Sequence, residues 1–562
     1  MFRSTFCLFL LSCVLTVTAT GQLPAHLSSG LELLNAQKFD EAAEAFDAIT
    51  QAHPDDGQAW MLYGFALHAG GRLAEALAIH EKAASFPSVA ASASYNGACA
   101  AARLGQLDDA FAWLDKACLN GFANYAQVQQ DPDLQALRTD PRFARFGLPE
   151  GTAAAAVFVE PVLVHHAWYG SAPGDEFGWI ARNVGDVDGD GVADAVISAP
   201  HHDSERGQVL VYSGRSGELL WERTGLPAEN LGSGVEKAGD VNGDGVPDIA
   251  AGAPMVDGSA GKAYIFDGIN GETVLALTAD TAGDGFGNSV MGCGDVDGDG
   301  HSDVLVGAPK AGAGRATLHS GRTGAVLHEF VGERSGDRLG NCVAGGGPPG
   351  DILLVIGVPD AGENRGGQVQ VYHHDGENVS PAFVLEAEAT SKAFGEMFLS
   401  VVGDVNGDGV LDVYASDWRD GSLGPATGRI RVHSGQDGAL LLALSGDNSG
   451  DGFGIGSAEA GDVDGDGHDD LIIGAYTHSA GAPRAGRTTL FSGKDGSVMS
   501  QFTATVRDET FGFDATNLGD VNGDDETDFL ITSADSPVAG QRSGRVFVMS
   551  RVPEAGADDA GR

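Results

Sequence analysis

The stretch FGWIARNVGDVDGDGVADAVISAP (177–200) sets the pattern for the carboxy-terminal two-thirds of this chain. It opens with an aromatic residue and Gly, contains the Asp-rich nonapeptide DVDGDGVAD (186–194), and ends in a short apolar run. The next segment, GQVLVYSGRSGELLWE (207–222), alternates apolar with polar residues and turns at Ser-Gly. Alternation bounded by Gly-rich turns predicts antiparallel strands joined by a hairpin. We therefore expect four strands in this unit: one before the Asp loop, one after it and two in the hairpin.

The unit recurs along the chain at intervals of 53 to 59 residues. Seven copies of its opening pair occur, at Phe177-Gly178, Leu231-Gly232, Phe286-Gly287, Leu339-Gly340, Phe394-Gly395, Phe453-Gly454 and Phe511-Gly512. Seven four-stranded sheets predict an all-β, seven-bladed β-propeller. The last unit stops after RVFVMSR (545–551), one strand short, and VFVEPVLVHHAWY (157–169) has no partners in its own unit. The early segment is therefore expected to supply the missing strand and close the ring.

These residues resemble the FG-GAP repeats of the integrin α-subunit propeller. The Phe-Gly pair, the DxDGDG or DxNGDG loop and the Gly-Ala-Pro that follows all stand here, and the resemblance covers residues 157–552. It implies that the Asp loops lie on one face, between the first and second strands of each blade. It also implies that their calcium is structural and that ligands bind the opposite face.

Six units carry the Asp-rich nonapeptide, and its spacing suits calcium, a hard cation that takes six to eight oxygen ligands. Side chains at positions 1, 3, 5 and 9 and the carbonyl of position 7 are the expected ligands, and Gly at position 6 permits the turn. Up to six calcium ions are expected, on Asp186, Asp188, Asp190, Val192, Asp194, Asp240, Asn242, Asp244, Val246, Asp248, Asp295, Asp297, Asp299, His301, Asp303, Asp404, Asn406, Asp408, Val410, Asp412, Asp462, Asp464, Asp466, His468, Asp470, Asp520, Asn522, Asp524, Glu526 and Asp528.

Three other interpretations of these loops compete with the calcium propeller. An EF-hand needs a Glu at position 12 and flanking helices, whereas position 12 of the first loop is Ile197, inside a predicted strand. A dockerin-like module also places a helix after the loop, and a solvated acidic turn would bind nothing.

Two units depart from the pattern. The fourth has AGGGPPGD (344–351) and is expected to hold no metal, while Asp525 replaces the turn Gly of the seventh and predicts a weaker site.

Residues 22–146 predict an all-α helical-repeat domain with a period near 34 residues, because Gly30, Gly64 and Gly97 recur at 34 and 33. With Trp60 and Leu62 the second unit resembles a tetratricopeptide repeat. The resemblance implies a groove for a peptide or partner protein, and a purely structural stack is the alternative. DPDLQALRTDPRFARF (131–146) is expected to form a helical end cap, and residues 147–156 a linker.

The ends and the charge of the chain bear on its location. Residues 1–21 predict a signal peptide, with Arg3 before the apolar run 6–17. A membrane anchor and a lipoprotein at Cys13 are the alternatives, and no later segment is apolar enough to span a bilayer. The formal net charge of −46 argues against nucleic acid as a partner. We expect a secreted, extracellular or cell-envelope protein of bacterial origin, with a disordered acidic tail at 553–562.

The cysteines left after cleavage are Cys99, Cys118, Cys293 and Cys342, in spacings that fit no zinc site. Cys99 with Cys118, or Cys293 with Cys342, could form a disulfide in an oxidising compartment. Buried free thiols are the alternative.

One loop of the opposite face, SDWRDGSLGPATG (416–428), breaks the repeat with Trp418 and Arg419. Exposed Trp and Arg are common binding anchors, so these two residues and Tyr476 are the candidate ligand-binding residues. An irregular loop packed on its neighbour is the alternative.

The sequence thus favours an adhesion or interaction module for protein or glycan ligands. A polysaccharide-cleaving enzyme using His201, His202, Tyr476 or His478 is the rival hypothesis, without a recognisable catalytic motif, and a cell-envelope scaffold is the third.

Overall fold

The computed structural model describes residues 25–86, 88–119, 128, 131–138, 143, 157–279, 281–362, 365–456 and 458–552. The expected signal peptide (1–21), linker (147–156) and tail (553–562) lie outside these ranges, so they stay predictions. The chain divides into two compact units, Met1–Leu148 and Pro149–Arg562. A search of the helices within the described ranges finds none with the length and apolar character needed to cross a membrane.

The first unit is built from antiparallel helix pairs, as the 34-residue period predicts. Small residues set the distance between paired helices: a Cβ on Gly30 would lie 2.5 Å from the Phe46 ring, and one on Gly64 would lie 2.6 Å from the His80 ring. The all-α prediction is confirmed. In the described part of this unit the helices are α1 Ser28–Asn35, α2 Phe39–Ala52, α3 Gly57–Ala69, α4 Leu73–Ala83, α5 Ala90–Arg103 and α6 Leu107–Leu119.

Two short 3-10 helices accompany these pairs, at Ala25–Leu27 and Pro132–Leu137. The second falls within the segment expected to be an end cap, and Leu134 and Leu137 are buried in one cluster with residues of α5 and α6. Most of residues 139–146 lies outside the described ranges, so the full extent of that cap stays a prediction.

The second unit is a ring of seven antiparallel sheets in the described part of the chain, and the seven-bladed prediction is confirmed. Each blade runs in order from its first to its fourth strand, and blade 6 divides its first strand into β22 and β23. The strands are β1 Val162–Tyr169; in blade 1, β2 Ala181–Gly185, β3 Asp194–Ala199, β4 Gln208–Tyr212 and β5 Leu219–Thr224; in blade 2, β6 Val235–Gly239, β7 Asp248–Ala253, β8 Lys262–Phe266 and β9 Thr273–Thr278; in blade 3, β10 Val290–Gly292, β11 Val304–Ala308, β12 Arg315–His319 and β13 Val326–Val331; in blade 4, β14 Val343–Gly346, β15 Ile352–Val358, β16 Gln368–His374 and β17 Val379–Glu386; in blade 5, β18 Leu399–Val402, β19 Asp412–Asp417, β20 Arg429–His433 and β21 Leu440–Ser445; in blade 6, β22 Phe453–Ile455, β23 Glu459–Gly461, β24 Asp470–Ala475, β25 Arg487–Phe491 and β26 Val498–Thr503; and in blade 7, β27 Ala515–Gly519, β28 Asp528–Ser533 and β29 Arg545–Arg551.

The ring closes where the sequence predicts. β1 pairs antiparallel with β29 and becomes the fourth strand of blade 7, with Tyr169 opposite Arg545. A bridge between Phe177 and Gly544 then links blade 7 to blade 1, in the same way that Gly207 meets Leu231 between blades 1 and 2. Gly207 has φ of 80°, and a Cβ there would collide with the Leu231 backbone, so the junction requires glycine.

Within a blade, the second strand is more deeply buried than the fourth strand at its outer edge. The second strands are buried along their whole length, as β3 and β7 show, because each lies between two neighbouring blades. Several fourth strands are much more exposed, and β9 and β13 each expose four of their six residues. Inter-blade packing of apolar second strands therefore forms the core, and the loops at both ends of the strands are free to carry sites.

Cys99, Cys293 and Cys342 are free thiols in this structure. The alternative of a Cys293–Cys342 disulfide is therefore wrong. The side chain of Cys118 lies outside the described residues.

Candidate metal centres

The six Asp-rich loops join the first and second strands of blades 1, 2, 3, 5, 6 and 7. The first, 186–194, runs from the end of β2 into β3. Because the strands of a blade are antiparallel, loops between its second and third strands lie at the other end of the sheet. A strand follows each of these loops, which rules out the EF-hand and dockerin-like alternatives, since both need a helix there.

The aspartate at position 1 organises each loop through backbone hydrogen bonds. Asp186 Oδ1 accepts the N–H groups of Gly189 at 2.7 Å and Asp190 at 3.1 Å, and its Oδ2 accepts that of Gly191 at 2.8 Å. Gly191 has φ of 87°, and Asp525, its counterpart in the seventh loop, adopts 66°. The seventh loop thus keeps the fold of the others, with a non-Gly residue in the left-handed region.

The aspartate at position 9 ties the loop to the rest of its blade. Asp194 is fully buried; its Oδ2 accepts the Val187 N–H at 2.8 Å and its Oδ1 accepts the Gly214 N–H, in the turn after β4, at 3.0 Å. Burial raises the pKa of Asp194 to about 6, although these hydrogen bonds oppose the shift. The counterparts in blades 2, 3 and 5 have the same shift from the same cause, at Asp248, Asp303 and Asp412.

Carboxylates converge in three of the six loops. Among the residues that the structure describes, three groups of acids bring one ligand atom each within 4.8 Å of one another: Asp186, Asp188 and Asp194; Asp295, Asp297 and Asp299; and Asp462, Asp464 and Asp470. Hard carboxylate oxygens at this separation repel each other and suit a calcium ion. These loops all have Asp at position 3.

The other three loops have Asn at position 3 and so carry one carboxylate fewer among the expected side-chain ligands at positions 1, 3, 5 and 9. Asn406 Nδ2 donates to Asp408 Oδ2 at 2.9 Å, and Asn522 Nδ2 donates to Asp524 Oδ2 at 3.0 Å. The amide thereby neutralises part of the repulsion that a cation would relieve. The two loop types therefore share one backbone conformation and differ in the number of carboxylates at the expected ligand positions.

Basic side chains also reach the position-5 carboxylates of two of the loops. Arg215 Nε lies 3.1 Å from Asp190 Oδ2, and Lys494 Nζ lies 3.1 Å from Asp466 Oδ2. Both cations come from the turn between the third and fourth strands of the same blade. They partly balance the position-5 carboxylates of the first and sixth blades.

Neighbouring loops are connected through the side chain at position 7. His301 Nδ1 lies 2.8 Å from the Val241 carbonyl, and His468 Nδ1 lies 2.9 Å from the Val405 carbonyl, each in the preceding loop. A carbonyl only accepts, so Nδ1 carries the proton in both rings. These side chains thus bridge blades 2 to 3 and 5 to 6, while only their backbone carbonyls are expected to serve as ligands.

On the opposite face, Trp418 is half-buried, not exposed as its role as an anchor requires. Its ring meets that of Tyr476 edge-on, with centroids 6.4 Å apart, and the Arg419 guanidinium lies 5.0 Å from its centroid. Arg419 is exposed and forms an ion pair with Glu396. The packing alternative is thus consistent with the position of Trp418, the guanidinium of Arg419 is accessible, and a ligand-binding role for these residues stays a prediction.

A cavity of about 380 Å³ lies among the first strands of blades 1 to 5, and the sequence analysis did not predict it. Residues that directly follow the Phe-Gly pairs line it, among them Trp179, Asn288, Asn341 and Glu396. Each Phe-Gly pair has the same position in its blade, so the residues that follow the pairs must lie close together around the ring. That regular position was the sequence signal from which the cavity could have been predicted. Deeper in it, Arg182 forms ion pairs with Asp514 and, at 2.5 Å, with Glu236.

The histidines proposed for catalysis are held by acids. His201 Nδ1 lies 2.6 Å from Glu205, and His202 Nδ1 lies 3.1 Å from Asp175. His201 lines the cavity, whereas Tyr476 and His478 are not among its lining residues. Of the four candidates, this cavity thus has only His201 in its lining.

Family models match both units. The tetratricopeptide repeat matches residues 27–90, the FG-GAP repeat matches 238–266, 286–327 and 456–491, and an FG-GAP-like repeat matches 186–251. Both resemblances drawn from the sequence are confirmed.

Curated relatives of the second unit are integrin α subunits. Human integrin alpha-11 is 34% identical over 163 residues, 26% of this chain and 14% of that protein. Chicken integrin alpha-6 is 34% identical over 160 residues, again 26% and 14%. Integrin alpha pat-2 of Caenorhabditis briggsae is 26% identical over 272 residues, 43% of this chain and 18% of that protein. The chain thus spans less than a fifth of the length of these relatives.

Proposed function

We propose that this chain is a secreted, calcium-stabilised β-propeller that binds protein or glycan ligands on the face opposite its Asp loops. The observation that carries the proposal is the convergence of three carboxylates in each of three loops at the same place in their blades. Oxygen-rich loops on a strand-to-strand connection fix that connection when calcium binds and leave the other face free for recognition.

In this proposal, calcium stabilises the structure and takes no part in catalysis. Carboxylates of positions 1, 3, 5 and 9, with Asn in three loops, would hold the ion, and Asp194 and its counterparts would pass the constraint to the hairpin of the same blade. When bound, calcium supplies charge neutralisation and a rigid connection. The relatives support an interaction role for the propeller.

The test uses the full chain on a protein and glycan array, once with millimolar calcium and once after metal removal. We expect binding that needs calcium and that is weakened several-fold by Arg419→Ala, since Arg419 is an exposed cation of this face. Arg322→Ala, an exposed cation in the blade 3 hairpin turn, is the matched control. Calcium-independent binding, or equal losses in the two variants, would contradict the proposal.

A polysaccharide-cleaving activity is the rival outcome of the same experiment. Release of reducing ends or unsaturated products from arrayed polysaccharides would replace the binding proposal by an enzyme. His201 between Glu176 at 3.3 Å and Glu205 at 2.6 Å would then be the first residue to substitute.

A further inference from the structure

The inner helices of the first unit carry hydrogen-bonding groups that hold two buried aspartates of the chain itself. His68 Nε2, on α3, lies 2.8 Å from Asp133 Oδ2, and Tyr95 OH, on α5, donates to Asp131 Oδ2 at 2.7 Å. Arg103 Nε, also on α5, lies 3.5 Å from Asp133 Oδ1. Both carboxylates, His68 and Tyr95 are almost fully buried.

These donors come from the first helices of two consecutive pairs. Repeat proteins bind partners on extended surfaces built from equivalent positions of successive repeats. Tyr95, Cys99 and Arg103 follow each other at intervals of four on α5 and therefore share one face. Tyr95 and Cys99 are each only 2% exposed. The face that an open stack would offer to a partner is thus covered.

The covering element is residues 131–137, which we name the acidic segment. It presents one side to the helices: Asp131, Asp133, Leu134 and Leu137 are buried, while Pro132, Gln135 and Ala136 are exposed. Leu134 and Leu137 pack in one cluster with Tyr95, Ala98 and Ala101 of α5. The segment therefore makes the contacts of a bound peptide, with two acids and two leucines directed inward.

The acidic segment has little structure of its own. It is a six-residue 3-10 helix, a form with poorer hydrogen-bond geometry than an α-helix. Its own backbone bonds include Leu134 N–H to the Asp131 carbonyl at 3.1 Å and Arg138 N–H to the Gln135 carbonyl at 3.4 Å. Two side-chain bonds add to these: Asp131 Oδ1 accepts the Asp133 N–H at 2.9 Å, and Arg138 Nη2 donates to the Asp131 carbonyl at 2.8 Å. These local bonds are few, so the contacts with the helices contribute much of what holds the segment in place.

We propose that this surface is a recognition site for an Asp-X-Asp-Leu peptide and that the acidic segment occupies it as an intramolecular ligand. A partner carrying two carboxylates two residues apart, followed by leucine, binds only when the segment is displaced. His68, Tyr95 and Arg103 contact the carboxylates, and apolar residues of α5 and α6 accept the leucines. The inference concerns the helical unit alone and does not depend on the ligand of the propeller.

The experiment measures binding of a fluorescent synthetic peptide, DPDLQAL, to the full chain by fluorescence anisotropy. Asp131→Asn/Asp133→Asn removes the two charges from the intramolecular segment and leaves the receiving side chains unchanged. We expect this variant to bind the peptide about tenfold or more tightly than the wild type, the size expected from one or two charge-assisted hydrogen bonds. The peptide NPNLQAL should not bind.

Two further variants test whether the gain in peptide binding comes from displacement of the acidic segment. Asp55→Asn/Glu81→Gln removes two exposed acids of the same unit and should behave as the wild type. Leu134→Ala/Leu137→Ala loosens the segment without touching its charges and should also gain peptide binding. Circular dichroism follows the folding of each protein. The proposal would be overturned if the wild type and the opened variants bound the peptide equally, or if the opened variants were folded and did not bind it. Loss of the helical fold in both opened variants would also overturn it, because the segment would then be a fixed part of the core.

Discussion

His165 Nε2 lies 2.8 Å from Asp528 Oδ1, and this contact joins the first strand of the propeller to its last Asp loop. In the other five Asp-loop blades the corresponding oxygen accepts a glycine N–H from the turn after the third strand, as Gly214 does for Asp194. Blade 7 has no such turn, because its fourth strand, β1, arrives from the start of the propeller. A side chain of the closing strand therefore lies where a backbone donor lies in the other blades, without the geometry of a hydrogen bond, and this contact couples ring closure to the seventh loop.

His165→Ala should destabilise the propeller by about 1–3 kcal/mol, because it removes the polar side chain that lies against Oδ1 of the fully buried Asp528. Thermal unfolding of the full chain measures the effect. His373→Ala is the matched control, since His373 pairs with Asp351 at 2.6 Å in blade 4, which has no Asp loop, and both side chains are exposed. An exposed pair is worth no more than about 1 kcal/mol. Equal shifts in the two variants would contradict a special role for His165.

Calcium affinity should follow the charge at position 3 of each loop. Ligand charge is one of the properties that tune calcium binding, and the loops with Asp at position 3 are those whose carboxylates converge. We expect Asn242→Asp to strengthen the second site several-fold and Asp188→Asn to weaken the first by a similar factor. Calorimetric titration of metal-free protein measures both changes.

The same titration counts the sites. Up to six ions should bind, and the seventh-blade site, with Asn522 and Asp525, should empty first on gradual chelation. Asp351→Asn in blade 4 should leave the count unchanged. Elemental analysis showing no calcium after dialysis against millimolar calcium would reject the metal assignment altogether.

The propeller could be derived from the sequence because its determinants are local and repeated. Each Phe-Gly pair and Asp loop sets a turn within a few residues, and the unmatched strand 157–169 follows from counting strands. The same argument identified the Asp525 substitution, and the structure gives that residue the left-handed conformation.

What the sequence did not reveal depends on contacts between distant residues. Trp418 was expected to be exposed, yet its ring meets Tyr476 of the next blade. Acids two residues before the Phe-Gly pairs also escaped notice: Asp175 and Asp451 are buried and accept the N–H groups of Ala172 and Asn448. Their recurrence was visible, but nothing local distinguishes a buried turn acid from a solvated one.

Removal of calcium should lower the melting temperature of the propeller and leave that of the helical unit unchanged. Calcium at ten times its dissociation constant stabilises the folded state by about 1.4 kcal/mol per site. Several sites on one closed ring add up to an effect comparable with a domain's stability of about 5–15 kcal/mol. Differential scanning calorimetry with calcium and with a chelator separates the two transitions. Identical traces would mean that the loops are solvated acidic turns.

Acid should act in opposite directions on the metal-free and the calcium-loaded propeller. Burial raises the folded-state pKa of Asp194, Asp248, Asp303 and Asp412 to about 6, above the value of about 3.9 for Asp in an unfolded chain. A raised pKa means that the metal-free folded state binds protons more tightly than the unfolded state does. The stability that these groups contribute is therefore fully present below pH 3.9 and is lost as the pH rises towards 6.

In the calcium-loaded protein the same carboxylates must ionise to coordinate the ion, so protons compete with calcium and acid destabilises. Melting temperatures measured from pH 4 to pH 7 should fall with rising pH in metal-free protein, relative to an Asp194→Asn/Asp248→Asn variant, and rise with pH when calcium is present. The two variant positions remove the titrating groups and keep the side-chain shape, so they isolate this contribution from the other acids of the chain. Parallel pH profiles with and without calcium would show that the buried aspartates are not ligands.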